Sequence, residues 1–205
     1  TWFFVQNVDV NYGGVVTARN EVFLTQNLTE KTHFIASTGI AGRHADHEVL
    51  VQMDAYAVDG ICNEQVRYLY APTHLNPTYE YGVSFERGTS VDYGDRRQVF
   101  ISGTASINNR GEIVHPGDIR KQTLRMWENV ETLLAEAECS FDHVGHLLIY
   151  LRDMADYTVV REMFEERFPR IPKVYLKAPV CRPGWLIEME CMAVKSISDE
   201  RFPAF

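Results

Sequence analysis

Hydrophobic and polar positions along this chain alternate between strand-like and helix-like periods, and the order of these patterns occurs twice. The first block contains a predicted short helix over residues 15–25 and predicted strands over 2–9, 33–37 and 48–58. The second block contains a predicted helix over 157–168, ended by Pro169, and predicted strands over 146–153, 173–178 and 185–194. Both blocks therefore follow the order strand, helix, strand, strand.

The stretch between these blocks, Arg97 to Arg125, predicts a strand, a corner and a helix. The apolar run over 99–101 predicts a buried strand. The small residues of 102–106 follow it, where the backbone could approach a ligand closely. Asp118 then precedes apolar positions at helical spacing and is placed to cap that helix.

An internal repeat relates the two blocks. At an offset of 144 residues Asp9 aligns with Asp153, and after a register change of eight residues the segment 52–58 aligns with 188–194. Residues 79–195, the complete unit, then contain a whole α+β sandwich, whereas residues 1–58, the half unit, correspond to its second half. We expect a preceding segment or a second chain to cover the sheet edge that the half unit exposes.

Composition and charge narrow the possible functions. The formal charge is -8 with scattered basic residues, which argues against nucleic acid as a partner, and no apolar run approaches the length of a membrane span. The four cysteines lack close spacing, which predicts reduced thiols and a cytoplasmic protein. The acidic and histidine-rich segment 44–48 does not have zinc-ligand spacing, so we predict no metal site.

A group of short motifs resembles the RidA/YjgF superfamily over about residues 79–195. These motifs are SGTASI (102–107), NVETLLAEAE (129–138), YLRD (150–153) and IEMECMAV (187–194). A longer pattern is similar to the chorismatases, which carry two such units in tandem: Asn63-x-Gln65, Tyr70-x-Pro72, Phe85-x-Arg87, His115-x-Gly-Asp118 and Cys181-Arg-Pro183. Glu64 lies where that pattern is expected to have proline.

This resemblance implies an architecture. It divides the chain into a partial RidA-like unit (1–60), a connector rich in Tyr and Pro (61–88), a complete RidA-like domain (79–195) and a C-terminal tail (196–205). It also implies a homo-oligomer or a tandem pseudo-oligomer with ligand sites at the interfaces. The expected ligand is a small anionic carboxylate.

The resemblance further implies hydrolysis of chorismate to pyruvate and a hydroxylated ring acid, without a metal or organic cofactor. Glu188 falls on the family's glutamate, which is expected to protonate the enol-pyruvyl ether. Period-two alternation places Glu188 and Glu190 on the same face of a strand. From the pattern alone, both could equally be solvated carboxylates, and we expect Glu190 to be structural.

Seven further residues are candidates for substrate contact, each with an ordinary structural alternative. Arg87 is a possible carboxylate clamp or a surface arginine. The tyrosines could contact substrate or anchor the connector, the small residues could admit a ligand or relieve crowding, and the remaining cations could bind substrate or flank a solvated hairpin. The candidates besides Arg87 are Tyr70, Tyr81, Gly103, Ala105, Lys173 and Arg182.

Two other functions remain open. One is an imine or enamine deaminase of the RidA type, although Lys173 lies where such enzymes hold the substrate carboxylate with arginine, and lysine lacks the bidentate fork. The other is a non-catalytic module that binds a small carboxylate or serves in assembly.

Overall fold

The computed structural model describes residues 1–204, which form two β-sheets and three α-helices. The strands of the first sheet are β1 (Trp2–Val5), β2 (Thr38–Ala41) and β3 (Val51–Asp54). The strands of the second sheet are β4 (Val66–Leu69), β5 (Gly88–Asp92), β6 (Arg96–Ala105), β7 (Val144–Leu151), β8 (Lys173–Lys177) and β9 (Ile187–Ser196). The helices are α1 (Val8–Thr25), α2 (Ile119–Glu136) and α3 (Tyr157–Arg167).

The internal repeat is confirmed by topology. In the first sheet, β1 pairs with β2 in parallel and with β3 antiparallel, and α1 connects β1 to β2. In the second sheet, β7 has the same relationship to β8 and β9, and α3 connects β7 to β8. The chain therefore contains one full α+β unit preceded by the second half of another.

Matching backbone hydrogen bonds fix the register of the repeat. The Gln6 amide donates to the Leu50 carbonyl at 2.9 Å, and the Arg152 amide donates to the Leu186 carbonyl at 3.0 Å. The last strands are thus offset by 136 residues (186 − 50), as predicted, which places Gln52 at the position of Glu188. The first strands are offset by 146 (152 − 6), so the predicted offset of 144 is wrong there by two residues.

Three predicted strands of the half unit differ from the structure. The strand predicted over 2–9 ends at Val5, because Asn7 adopts a left-handed conformation (φ 47°) and α1 begins at Val8. The strand predicted over 33–37 is displaced to Thr38–Ala41, where the backbone pairs with β1. The strand predicted over 48–58 is confined to Val51–Asp54 and is exposed along its length.

The six-stranded sheet has the order β4-β5-β6-β9-β7-β8. The predicted connector contributes β4 to its edge and is therefore part of the sheet. β8 and β9 do not form the hairpin that the sequence suggested, because β7 lies between them. The predicted division of the chain into domains remains a prediction.

The main core lies between one face of this sheet and the helices α2 and α3. Asp118 caps α2 as predicted, since its Oδ1 accepts a hydrogen bond from the Lys121 amide at 3.0 Å. The half unit packs on the opposite face, where a bidentate ion pair joins Asp9 to Arg152 at 3.0 and 3.1 Å. One sheet is therefore covered by helices on one side and by the half unit on the other.

Candidate active site between the half unit and the sheet

Alternation along β9 directs two carboxylates away from the helix-covered core. Ile187, Met189 and Cys191 enter that core, while Glu188 and Glu190 point to the face on which the half unit packs. Glu188 is only 4% exposed and Glu190 only 6%. The alternative in which both carboxylates are solvated is therefore wrong, because the half unit removes that face from water.

Glu190 is surrounded by hydrogen-bond donors. Its Oε1 accepts from Trp2 Nε1 at 3.0 Å and from the Tyr150 hydroxyl at 2.8 Å, and its Oε2 accepts from the Thr38 hydroxyl. Burial raises the pKa of Glu190, and these hydrogen bonds oppose that increase. Because two of the donors come from the half unit, Glu190 fixes the half unit to the sheet.

Glu188 is buried without such donors. Within residues 1–204 its carboxyl has no hydrogen-bond partner. Burial raises its pKa to about 8, the negative charge of Glu190 adds to the increase, and Arg87 opposes it. The carboxyl is therefore predominantly protonated at neutral pH, which suits a general acid.

Glycine at position 103 makes room for this carboxyl. A Cβ at Gly103 would overlap Oε1 of Glu188 and lie 2.9 Å from both its Cδ and the Thr38 methyl group. The small-residue corner in the sequence thus corresponds to close approach between β6 and the carboxyl on β9.

Glu188 lines a cavity of about 270 Å³ between the two sheets. Of the residues predicted for substrate contact, five also line it: Tyr81, Arg87, Gly103, Ala105 and Arg182. The half unit contributes Tyr12, Gly13, Val16, Ser37 and Gly39. A space of this size suits a small organic acid.

The two arginines of the cavity flank one tyrosine ring. The Cζ atom of Arg87 lies 5.4 Å from the centroid of the Tyr81 ring, and the Cζ atom of Arg182 lies 4.5 Å from the same centroid. Arg87 also donates two hydrogen bonds to the Asn76 carbonyl, at 2.9 and 3.3 Å, which fix its orientation. Within residues 1–204 neither arginine forms an ion pair.

Two predicted candidates lie elsewhere. Tyr70 is 49% exposed and its backbone amide donates to Glu136. Lys173 starts the edge strand β8 and pairs with Glu165 at 3.3 Å. The structure does not bring either side chain to the cavity of Glu188.

Sequence reasoning missed three side chains that line this cavity. Tyr12 belongs to α1, and no motif marks it. Trp185 precedes β9, and its indole Nε1 is buried without a partner in the described part of the chain. Cys181 was noticed only as part of a motif; burial raises the pKa of its thiol to about 12, so it stays protonated.

A larger cavity of about 460 Å³ lies beside β4, β5 and β6. Its lining mixes aromatic, aliphatic and small polar side chains, and the carboxylate among them, Glu190, already accepts three hydrogen bonds. Among the described residues, no arginine or lysine side chain lines it. The smaller cavity is therefore the better candidate for acid catalysis on an anion.

No group of three or more His, Cys, Asp or Glu among residues 1–204 has an arrangement that could hold a metal ion. Over the same residues, the helices lack the length and apolar character that a membrane span requires.

Comparisons with known proteins identify relatives of most of the complete unit. The family model for endoribonuclease L-PSP matches residues 90–195. A RutC family protein of Pyrococcus abyssi is 36% identical over 100 residues, which cover 47% of this chain and 78% of that protein. The 3-aminoacrylate deaminase RutC of Acinetobacter baylyi is 31% identical over 97 residues, which cover 46% of this chain and 77% of that protein.

Solved structures extend the similarity to the half unit. A chorismatase crystal structure matches 94% of this chain with a TM-score of 0.76 and 20% identity, and this chain spans 62% of the length of that one. The structure of E. coli TdcF with bound serine matches with a TM-score of 0.51 and 21% identity, and the match covers 63% of this chain and 99% of the TdcF chain. These two likenesses concern the fold. The chain therefore belongs to the endoribonuclease L-PSP family of the RidA/YjgF superfamily, and its full unit plus partial repeat follow the fold of chorismatase.

Proposed function

We propose that the cavity of Glu188 is an active site that hydrolyses the enol-pyruvyl ether of chorismate, or of a related small dicarboxylate, by general-acid catalysis. The observation that carries this proposal is a buried carboxyl without hydrogen-bond donors, in the same cavity as two guanidinium groups that form no ion pair within residues 1–204. The fold shared with chorismatase supports the choice of substrate.

Charge in the cavity favours a dianion. At neutral pH Arg87 and Arg182 contribute two positive charges, and the predominantly protonated Glu188 contributes little negative charge. Arg87 is buried and Arg182 is half-buried, and buried charges in proteins are normally paired, so two carboxylates of a ligand would neutralise the two arginines. This local balance contrasts with the net charge of -8 of the whole chain.

The reaction would begin with transfer of the Glu188 proton to the methylene carbon of the enol ether. The resulting oxocarbenium centre is attacked by water, and Glu188, now a carboxylate, accepts a proton from that water. The hemiketal then collapses to pyruvate and the ring alcohol. One water is consumed, and the carboxyl regains its proton in each turnover.

The proposal is tested by incubating the full chain with chorismate and following pyruvate with a coupled lactate dehydrogenase assay. Glu188→Gln removes the proton donor at similar volume and should lower kcat by about 10²- to 10⁴-fold. Glu162→Gln, a matched change at an exposed position on α3, should leave the rate unchanged. Circular dichroism should show the same fold in all three proteins.

Full activity of Glu188→Gln would contradict the proposal. So would a wild-type chain that binds chorismate, as measured by calorimetry, without releasing pyruvate; that result would favour a non-catalytic binding module.

A second candidate is an imine or enamine deaminase, favoured by the 31% identity to 3-aminoacrylate deaminase RutC. The same acid could protonate the carbon of an enamine, after which water would displace ammonia. Generating 3-aminoacrylate in situ and measuring ammonia release distinguishes the two functions. A kcat/KM for this substrate above that for chorismate would support the deaminase.

A further inference from the structure

Among the residues that the half unit contributes to the wall of the candidate site is one tyrosine. Tyr12 projects from α1 into the cavity that Glu188 lines. Its ring lies over Gly39 of β2, where a Cβ would be 2.6 Å from Cε2 and 2.9 Å from the hydroxyl oxygen. Glycine at position 39 therefore provides the space that this orientation of Tyr12 requires.

The Tyr12 hydroxyl has no hydrogen-bond partner within residues 1–204. Burial raises its pKa, and the nearby Cys181 and Glu188 add to the increase, so the hydroxyl keeps its proton and can donate. Buried polar groups in proteins are normally hydrogen-bonded. Tyr12 is half-buried and its hydroxyl is not fully enclosed, so a ligand atom that replaces water in the cavity can accept this hydrogen bond.

A second uncommitted donor lines the same cavity. Trp185 is 5% exposed, and its Nε1–H has no partner in the described chain. An indole N–H and a phenol O–H are both neutral donors, in contrast to Arg87 and Arg182. The cavity therefore combines two cationic donors, the neutral Tyr12 hydroxyl and one acid, and the Trp185 indole forms part of its wall.

We propose that Tyr12 is a substrate-binding residue of the site, donating a hydrogen bond to an uncharged oxygen of the ligand, and that the site selects dicarboxylates that carry a hydroxyl, ether or carbonyl oxygen. This inference rests on the proposed use of the Glu188 cavity for a dicarboxylate. The arginines bind the two carboxylates, and Tyr12 donates a hydrogen bond to the additional oxygen. The half unit thereby contributes to substrate specificity.

Binding of two rigid probes tests this inference without turnover. Isophthalate and 5-hydroxyisophthalate differ by one hydroxyl, and calorimetry on the full chain should give a preference for the hydroxylated probe of about 5- to 10-fold, the value of one hydrogen bond. Tyr12→Phe should abolish that preference and change the affinity for isophthalate less than twofold. Tyr79→Phe, a change outside the cavity at a side chain 46% exposed, should retain the preference.

Gly39→Ala provides a second variant, because the added methyl group would displace the Tyr12 ring. It should also abolish the preference, while the thermal melt reports whether the protein is folded. A preference that persists in Tyr12→Phe would overturn the role of Tyr12, and failure of wild type to bind either probe would overturn the dicarboxylate site itself. Loss of pyruvate release with a retained, Tyr12-dependent preference would reject only the proposed hydrolysis.

Discussion

At the scale of single residues, the contrast between Glu188 and Glu190 defines the site. The two carboxyls lie two residues apart on the same strand face, yet Glu190 accepts three hydrogen bonds and Glu188 accepts none within residues 1–204. Burying a carboxyl without donors favours its neutral form. The acid of the proposed reaction thus arises from a local absence of donors.

The pH dependence of the proposed activity follows from the raised pKa of Glu188, about 8. A general acid must be protonated, so kcat/KM should be constant below that pKa and fall tenfold per pH unit above it. A pH-rate profile from pH 5.5 to 10 measures this, with the coupling enzyme checked at each pH. A rate that increases through pH 8 would contradict the acid role, because it would require the carboxylate form.

Gly103→Ala should impair the site because its new methyl group would overlap the Glu188 carboxyl. We expect at least a tenfold loss of kcat/KM for chorismate and a lower melting temperature, since overpacking a buried position typically costs about 1–3 kcal/mol. Gly145→Ala is the matched control, because the nearest atom to its added methyl group would be the Met192 carbonyl oxygen, at 3.8 Å. An unchanged rate in Gly103→Ala would show that the carboxyl position is not critical.

Sequence reasoning placed Glu188 and Glu190 on one strand face and named five of the other residues that line the cavity of Glu188, since alternation and the motif order are local properties. It could not distinguish the environment of Glu188 from that of Glu190, because the donors Trp2 and Thr38 come from more than 150 residues away. Tyr12 was missed for the same reason. Its position in the cavity depends on how the half unit packs.

At the scale of elements, helix α2 shows how a local signal determines a boundary. Asp118→Ala removes the hydrogen bond to the Lys121 amide and should destabilise the protein by about 1 kcal/mol, which corresponds to a fall in melting temperature of about 2–4 °C. Differential scanning calorimetry measures the shift. Asp118→Asn keeps an acceptor for the Lys121 amide, so its melting temperature should fall less than that of Asp118→Ala. Equal falls in the two variants would attribute the effect to the lost charge instead of the lost hydrogen bond.

Element boundaries in the half unit were less predictable than those in the complete unit. The apolar segment 33–37 has the composition of a strand, but Phe34 packs against Phe23 of α1 and its amide donates to Glu86. Pairing with β1 occurs instead at the next residues, Thr38–Ala41. Tertiary contacts therefore decided which part of this segment became the strand.

At the scale of the whole molecule, the half unit has one side packed and one side open. β3 is a sheet edge whose four residues are all exposed, and Met53 is 56% exposed. In the six-stranded sheet the equivalent strand β9 pairs on its other side with β6. A position for one more antiparallel strand is thus open beside β3.

We expect a preceding segment of the protein or a second chain to pair with this edge, and association of a second chain can be tested directly. Met53→Lys places a charge on the exposed strand and should lower the average mass of any assembly, as measured by sedimentation velocity, because lysine discourages edge pairing. Leu124→Lys, at an apolar side chain of α2 that is 46% exposed, is the matched control. Identical sedimentation of wild type and Met53→Lys at all concentrations would reject association through β3.

The repeat places Gln52 where the complete unit has Glu188, and this has a consequence for how the protein could diversify. The amide of Gln52 does not titrate between pH 5.5 and 10, so the half unit has no general acid at the position that corresponds to Glu188. Its residues therefore do not have to preserve an acid. Mutations on its inner surface could then redesign which molecules are accepted while leaving bond cleavage intact. A library restricted to α1 and β2 is the corresponding route to new substrates.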